Sequence, residues 1–482
     1  MSQLKRILAI IMAGIMLIGI TACGEPSDEA SSTVGETYET KDALTENTKE
    51  EAAVTEEEVD QYIILTDEDG NPYDLGGMEI IIADWWSSGE EEEAVSAYDE
   101  AHQEYLDWIQ KTYHFTIKQQ AITSWGDVPE DFVNCATTGG EENYIFTLYQ
   151  GSALTSALMS GLMYDLSTLD CLDFSEDKWE TVVTNLMTIG DATYGMRGIL
   201  HEATAGIYFN KRLLEESGID PDSIYELQAN NEWTWDKFEE LCQQVQKDTD
   251  NDGVIDQNAM TNFTSTLYPA AVFSNGGEFI GKDENGYYNA LESDATLEAL
   301  NWALDMIDKY EMIYPEDAEW DYTYTAFANG EAVFTCAESY KAGEWSDMED
   351  DFGFVCFPMG PLMDHYVNYA HDNVYVIPSC YDEDKAWKLA FVYNLYTDPV
   401  PGYEDSETWK SGYYQSFRDT ESVDETLAIM VNSGVPMNEK AINGIDMGSD
   451  LFWSISKDNT PAQKAESIRN TWQSYIDQTN SQ

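Results

Sequence analysis

Hydrophobic and polar positions divide the chain into three stretches of different character. Behind the cations Lys5 and Arg6, Ile7 to Ile20 carry no polar side chain, the charged-then-apolar order of an export signal over residues 1–22. The run falls short of the roughly 18 apolar residues expected of a membrane-crossing helix. From Gly24 to about Asp60, Ser, Thr and Glu dominate, ending in Glu56-Glu57-Glu58. Such a segment cannot offset its ordering entropy by burial, so it is expected to be a disordered, self-repelling acidic linker. Beyond it, strand and helix periods alternate. Met78 to Ala83 reads as a strand; Val95, Tyr98, His102, Tyr105 and Ile109 share one helix face; a second strand lies around Phe115 to Ile117. This order predicts a parallel α/β sheet, whose ligands bind outside the carboxyl ends of its strands. Asp84, Trp85 and Trp86 then fall at the rim of a crevice. Further along, Leu297, Leu300, Leu304 and Ile307 mark a helix, as do Ala386, Phe391 and Leu395, while Glu331 to Cys336 and Asn373 to Pro378 read as strands.

Length and composition sharpen this picture. A chain of 482 residues, less leader and linker, exceeds what one core sustains, so two lobes are expected. Thirty Tyr and 14 Trp supply ample aromatic surface for a ligand. The net charge of −69, from 92 acidic against 23 basic residues, excludes a nucleic-acid partner, whose phosphates need Lys and Arg. Most of these carboxylates are read as a solvated face. Apart from Cys23, the cysteines sit mostly beside apolar residues and form no C-x-x-C pair, which suits buried thiols. Ile20-Thr21-Ala22-Cys23-Gly24 resembles the bacterial lipobox. Cleavage before Cys23 followed by its acylation would anchor the protein to the membrane through lipid alone.

A run of motifs then gives a family. Gly206-Ile207-Tyr208-Phe209-Asn210-Lys211 leads into Leu213 to Pro221, then Thr234-Trp235-Asp236-Lys237-Phe238, then Asp248 to Gly253. Phe327 to Phe334, Phe354 to Pro361 and Val374 to Pro378 follow in order. From about Gly77 to Pro399 the chain resembles the extracellular solute-binding proteins of family 1, the sugar-type, maltodextrin-binding-protein-like components of ABC transporters. The resemblance implies an α/β fold of two lobes, periplasmic-binding-protein-like and of type II, with a hinge and an interlobe ligand cleft. It places the first lobe at about 77–188 and 365–398, the second at about 189–364 and 399–482, within a solute-binding region spanning 61–482. It also implies a monomer on the extracellular face of the bacterial membrane that serves permease subunits. Thr234 can cap the helix opened by Trp235, which makes Trp235 a packing residue; Asn210 suits capping and recognition equally.

A sugar needs aromatic plates for its C–H faces and carboxylates or amides for its hydroxyls. Asp84, Trp85 and Trp86 offer both; the resemblance adds Glu338 and Tyr340. His371, Asp372 and Asn373, ahead of a returning strand, form a third set, with Trp125, Tyr149 and Tyr208 as further candidates. Any single ring on this list could instead pack in a core. Asp248, Asp250, Asp252 and Asp256 are spaced like calcium ligands around Gly253, although Ala259 stands where a bidentate Glu belongs. The segment is therefore either a structural calcium loop or an Asx-rich turn that needs no ion. No cofactor is otherwise required.

Enzyme motifs are missing: no H-E-x-x-H, G-x-S-x-G or phosphate-cradling G-x-x-x-x-G-K-[ST] occurs. Close carboxylate pairs arise by chance among so many acids and are poor evidence for glycoside hydrolysis. A non-enzymatic carbohydrate binder is the expectation. The alternatives are a secreted carbohydrate-active enzyme, or the same fold holding a peptide, a polyamine or a metal chelate.

Overall fold

The computed structural model describes residues 62–89, 94, 96–140, 142–199, 203–369, 373–403 and 407–481. The leader, Cys23, the linker, His371 and Asp372 lie outside these residues. Two four-stranded sheets organise the rest. The first comprises β1 (Met78–Asp84), β2 (Phe115–Ala121), β3 (Tyr144–Tyr149) and a late strand, β8 (Asn373–Val376). Its order is β8-β3-β1-β2; β1 runs parallel to both neighbours and β8 is antiparallel to β3.

Alternation along β1 divides its side chains between two faces. Ile80 and Ile82 join Tyr105, Ile109 and Tyr113 of helix α1 (Ala97–Tyr113) in one buried cluster. Phe391 and Leu395 of α6 (Glu383–Tyr396) complete it. Ala83, with Phe146 and Leu148 of β3, packs on the opposite face against Phe132 of α2 (Val128–Thr138). Helices therefore cover both faces, as a parallel sheet requires. Ser96 caps α1 by accepting from the Asp99 amide; Val95, expected on the same helix face, lies outside the described residues.

The second sheet comprises β4 (Gly206–Asn210), β5 (Asn258–Asn262), β6 (Ala332–Ala337) and β7 (Phe352–Cys356), in the order β7-β4-β6-β5. β5 and β6 are parallel, and β4 runs against both of its neighbours. Around it lie α3 (Trp235–Val245), α4 (Thr264–Ser274), α5 (Asp294–Tyr310) and α7 (Pro461–Asn480). Thr234 does cap α3, and Trp235 stacks on Trp302 with centroids 4.3 Å apart. One continuous apolar cluster joins these elements, from Ala203 to Ile476.

The chain crosses between the lobes later than the motif-based boundaries suggest. Met196 exchanges backbone hydrogen bonds of 2.9 Å with Tyr375, so the first lobe extends past residue 188. Tyr366 and Tyr369 belong to the second lobe's core, so the return comes after residue 369 rather than at 365. Tyr73 and Leu75 pack on the first lobe, ahead of residue 77. The two crossing segments run side by side: the Thr204 hydroxyl donates to the Tyr369 carbonyl at 2.6 Å, and the Ala205 amide donates to Asn368 Oδ1 at 3.3 Å. At the entry to β4, a Cβ on Gly206 would lie 2.4 Å from the Phe354 ring. Only glycine fits there.

Candidate functional site

Four of the expected aromatics meet at the carboxyl end of the first sheet. Trp85 and Trp86 follow β1, Tyr149 ends β3, and Trp125 lies in the loop after β2. The Trp125 ring stacks on Tyr149 with centroids 4.6 Å apart and planes 17° from parallel. Trp85 meets Trp86 and Tyr149 edge-on at 4.8 and 5.9 Å. Trp86 and Trp125 remain 50% and 58% exposed, so their ring faces are available to a guest.

Asp84 departs from the expected role. Its carboxylate is fully buried and accepts from the Trp86 and Ser87 amides at 3.1 Å each, from the Ser87 hydroxyl, and from Gln119 Nε2 at 2.8 Å. With its lone pairs used in this way, it holds the turn that presents the two indoles and is not displayed to a ligand. Tyr208 departs likewise. It is fully buried in β4, and its hydroxyl donates to the carbonyls of Glu338 and Ser339 at 3.0 and 2.9 Å. Asn210 acts as a cap, accepting from the Leu213 amide at 3.0 Å while its amide group donates to Asp350.

A second set of groups lies at the carboxyl ends of β5 and β6. Glu338 accepts from the Thr266 hydroxyl at 3.1 Å and from Tyr324 at 3.4 Å, and burial raises its carboxyl above the ordinary range. The Lys341 ammonium lies 4.2 Å from the Tyr324 ring centroid and 5.0 Å from that of Tyr340. Phe263, directly after β5, packs edge-on against Trp320. Tyr340 and Trp320 are exposed at 45% and 75%. The sequence reading missed Phe263, Thr266, Trp320, Tyr324 and Lys341. The position of Phe263, immediately after a strand, was a signal of the same kind that marked Trp85.

Both sets border the hinge. The Ser339 amide donates to the Ala203 carbonyl at 3.0 Å, and the Ala203 amide donates to the Ser339 hydroxyl at 3.2 Å, which ties Glu338 and Tyr340 to the outgoing crossover. Tyr149 pairs in register with Asn373, the first residue after the returning crossover. Because the crossovers are bonded to each other, the two aromatic sets stand on either side of the hinge, one per lobe. Elsewhere between the lobes, Ser156 donates to Asn443 at 2.9 Å beside a cavity of about 200 Å³, lined by Leu154, Leu158 and Ile189 on one side and Lys282 and Lys440 on the other.

Of the acidic loop, Asp248, Asp250 and Asp256 bring carboxylate oxygens within 4.8 Å of one another. Asp252 instead accepts from the Val254 amide at 2.8 Å. Asp248 already accepts from the Asp252 and Gly253 amides, and hydrogen bonds from Thr249 hold the Asp256 carboxyl below its usual range. Ala259 is buried in β5 and contributes no oxygen. The donor set suits a hard cation, but with fewer ligands than a full calcium loop supplies.

Two α/β lobes bridged by paired crossovers, with open ring faces at the strand ends on each side, make up a two-lobed α/β protein. Residues 168–390 match the model of the bacterial extracellular solute-binding protein family, which is the family indicated by the motifs. Comparison with curated protein sequences finds no match. Solved structures of similar fold include maltose-bound MalE3 of T. maritima, with a TM-score of 0.54 and 15% identity over 82% of this chain and 98% of that one. The maltose-maltodextrin binding protein of Alicyclobacillus acidocaldarius gives 0.53 and 14%, covering 82% and 100%. UgpB of Mycobacterium tuberculosis, in complex with glycerophosphocholine, gives 0.54 and 14%, covering 79% and 95%. At such identities the likeness establishes the fold. Among the described residues no helix is long and apolar enough to cross a membrane.

Proposed function

We propose that the chain is the solute-binding component of an ABC importer, and that it captures a carbohydrate, favouring an oligosaccharide, between its lobes and passes it unaltered to permease subunits. The observation that carries this reading is the set of exposed indole and phenol faces at the strand ends flanking the hinge. Flat apolar plates beside a carboxylate and an ammonium suit pyranose rings edged with hydroxyls. Ligand contacts on both lobes would favour the closed arrangement, because only differential affinity shifts such an equilibrium. The maltose-bound and maltodextrin-binding proteins among the similar folds agree with this choice of ligand class.

Cys23 serves in this reading as the lipid-bearing first residue of the mature protein, which holds a monomer on the outer face of the membrane. Asp248, Asp250 and Asp256 hold a calcium ion whose role is structural. A second ligand class has a specific observation in its favour. The rings Trp86, Trp125 and Tyr340, in a chain of net charge −69, also suit an organic cation such as a polyamine or a quaternary ammonium.

A thermal-shift and calorimetric screen against glycans, polyamines and choline compounds tests these readings, with chromatography of the recovered ligand. The expected result is saturable binding of a sugar that returns intact. Turnover of the sugar would refute the binder, and selective binding of cations would move the assignment to the second class.

A further inference from the structure

Two thiols distant in sequence share one patch of the first lobe. Cys135 lies near the end of α2, and Cys380 follows the strand β8, 245 positions later. The Cys380 thiol donates to the carbonyl of Cys135 itself at 3.4 Å. Cys135 Sγ lies 3.5 Å from the Tyr381 hydroxyl, which donates to the Glu142 carbonyl at 2.8 Å. Lys385 closes the patch, with its ammonium 3.7 Å from the Tyr381 ring centroid and bonded to the same Glu142 carbonyl.

The other described cysteines are placed differently. Cys242, Cys336 and Cys356 are buried in the second lobe's core, and Cys171 is half-buried with its thiol directed at the Trp387 carbonyl. Cys380 is exposed and Cys135 partly so. An extracellular protein meets an oxidising environment in which an accessible pair of thiols does not persist.

We propose that Cys135 and Cys380 form a disulfide that clasps the two chain segments of the first lobe to each other. The segment it closes contains the whole of the second sheet, so the constraint falls on a very long loop of the unfolded chain, where disulfide stabilisation is greatest. In the folded protein it would fasten α2 to the turn that follows the returning strand, on the lobe carrying Trp85 and Tyr149. It would do so without linking one lobe to the other, so hinge motion stays free.

The chemistry balances by exchange with a small disulfide such as oxidised glutathione. The exposed Cys380 thiolate attacks one sulfur and releases one glutathione thiolate, leaving a mixed disulfide. Cys135 then attacks the Cys380 sulfur and expels the second glutathione. Two protein thiols are oxidised, one glutathione disulfide is reduced, and the two protons pass to solvent and to the released thiolates. Burial, with the Cys135 charge adding to it, raises the Cys380 thiol pKa, and Lys385 opposes the shift, so the exchange should accelerate as pH rises.

The test equilibrates the purified chain in a glutathione redox buffer, blocks free thiols with a maleimide and maps peptides by mass spectrometry. The expected product is a peptide joining Cys135 to Cys380, about 2 Da below the sum of its reduced parts. In the same buffer, wild type and Cys171→Ser should lose several degrees of melting temperature on addition of reductant. Cys380→Ser should melt with reduced wild type and ignore reductant. Recovery of both cysteines as maleimide or separate glutathione adducts, or a linkage to Cys171 instead, overturns the proposal from wild-type protein alone.

Discussion

The Trp125 ring lies 4.6 Å from Tyr149, nearly parallel to it, although Trp125 lies in the loop after β2 and Tyr149 ends β3, a different strand of the same sheet. One ring therefore fixes the tilt of the other and leaves the outer indole face to solvent. Removing that face should weaken ligand binding without unfolding the lobe. Trp125→Ala and, on the opposite lobe, Tyr340→Ala are each expected to lose about 1 to 3 kcal/mol of binding free energy, or about 5- to 150-fold in Kd. Calorimetry with the best ligand from the screen measures this, and circular dichroism should be unchanged. Wild-type affinity in both variants would remove the aromatic sets from the site.

Asp84 should behave differently from the rings it supports. Substitution to Ala leaves two part-buried backbone amides, a hydroxyl and an amide side chain without their acceptor. A fully buried unsatisfied group costs about 1 to 3 kcal/mol, and part-buried ones cost less because water can replace the carboxylate. Asp84→Ala should therefore lower the melting temperature by several degrees and weaken binding only through the displaced turn. Unchanged stability together with abolished binding would restore Asp84 to direct ligand contact.

The contrast between Asp84 and Trp86 shows what the sequence can and cannot convey. Hydrophobic period and strand order were enough to place both at the end of β1, because parallel α/β sheets put their loops there. The direction of a carboxylate at that position depends on which donors surround it, and Gln119 belongs to another strand. Tyr208 illustrates a second limit. β4 is buried on both faces, so no alternation separates a core tyrosine from one at the rim. Tyr324 and Lys341 escaped notice because their contact joins one helix to a short helix beyond the next strand, a juxtaposition with no local period. The capping residue Thr234 was legible because a cap is local chemistry, whereas the sequence left Asn210 open between capping and recognition.

The acidic loop offers a prediction that separates an ion site from an Asx turn. If Asp248, Asp250 and Asp256 hold calcium, millimolar calcium should raise the melting temperature, since a ligand bound only by the folded state stabilises it by mass action. Asp250→Asn should abolish that shift without altering ligand affinity, because the loop precedes β5 at the end remote from Phe263. A melting temperature indifferent to both calcium and chelator would leave the loop as a turn held by its own amides.

Stability should also depend on pH through Glu439. This residue is 2% exposed, and beyond its own backbone amide neither carboxylate oxygen has a hydrogen-bond partner among the described residues. Burial pushes its carboxyl up to about 7, with Glu278 adding to the effect and Lys440 opposing it. Between the ordinary glutamate range and pH 7 the folded state thus binds more protons than the unfolded one. The stabilisation is complete below about pH 4.5 and is lost as pH rises through 7, amounting to something on the order of 1 to 3 kcal/mol. Glu311, which burial also pushes up to about 7, adds to the same slope while keeping hydrogen bonds from Tyr314 and Asn262. Glu439→Gln carries no charge to desolvate. It should therefore flatten, without abolishing, the fall in melting temperature between pH 5 and 8, and should be the more stable protein at pH 8. Parallel curves for variant and wild type would show that Glu439 keeps an ordinary carboxyl, reached by water or by a cation.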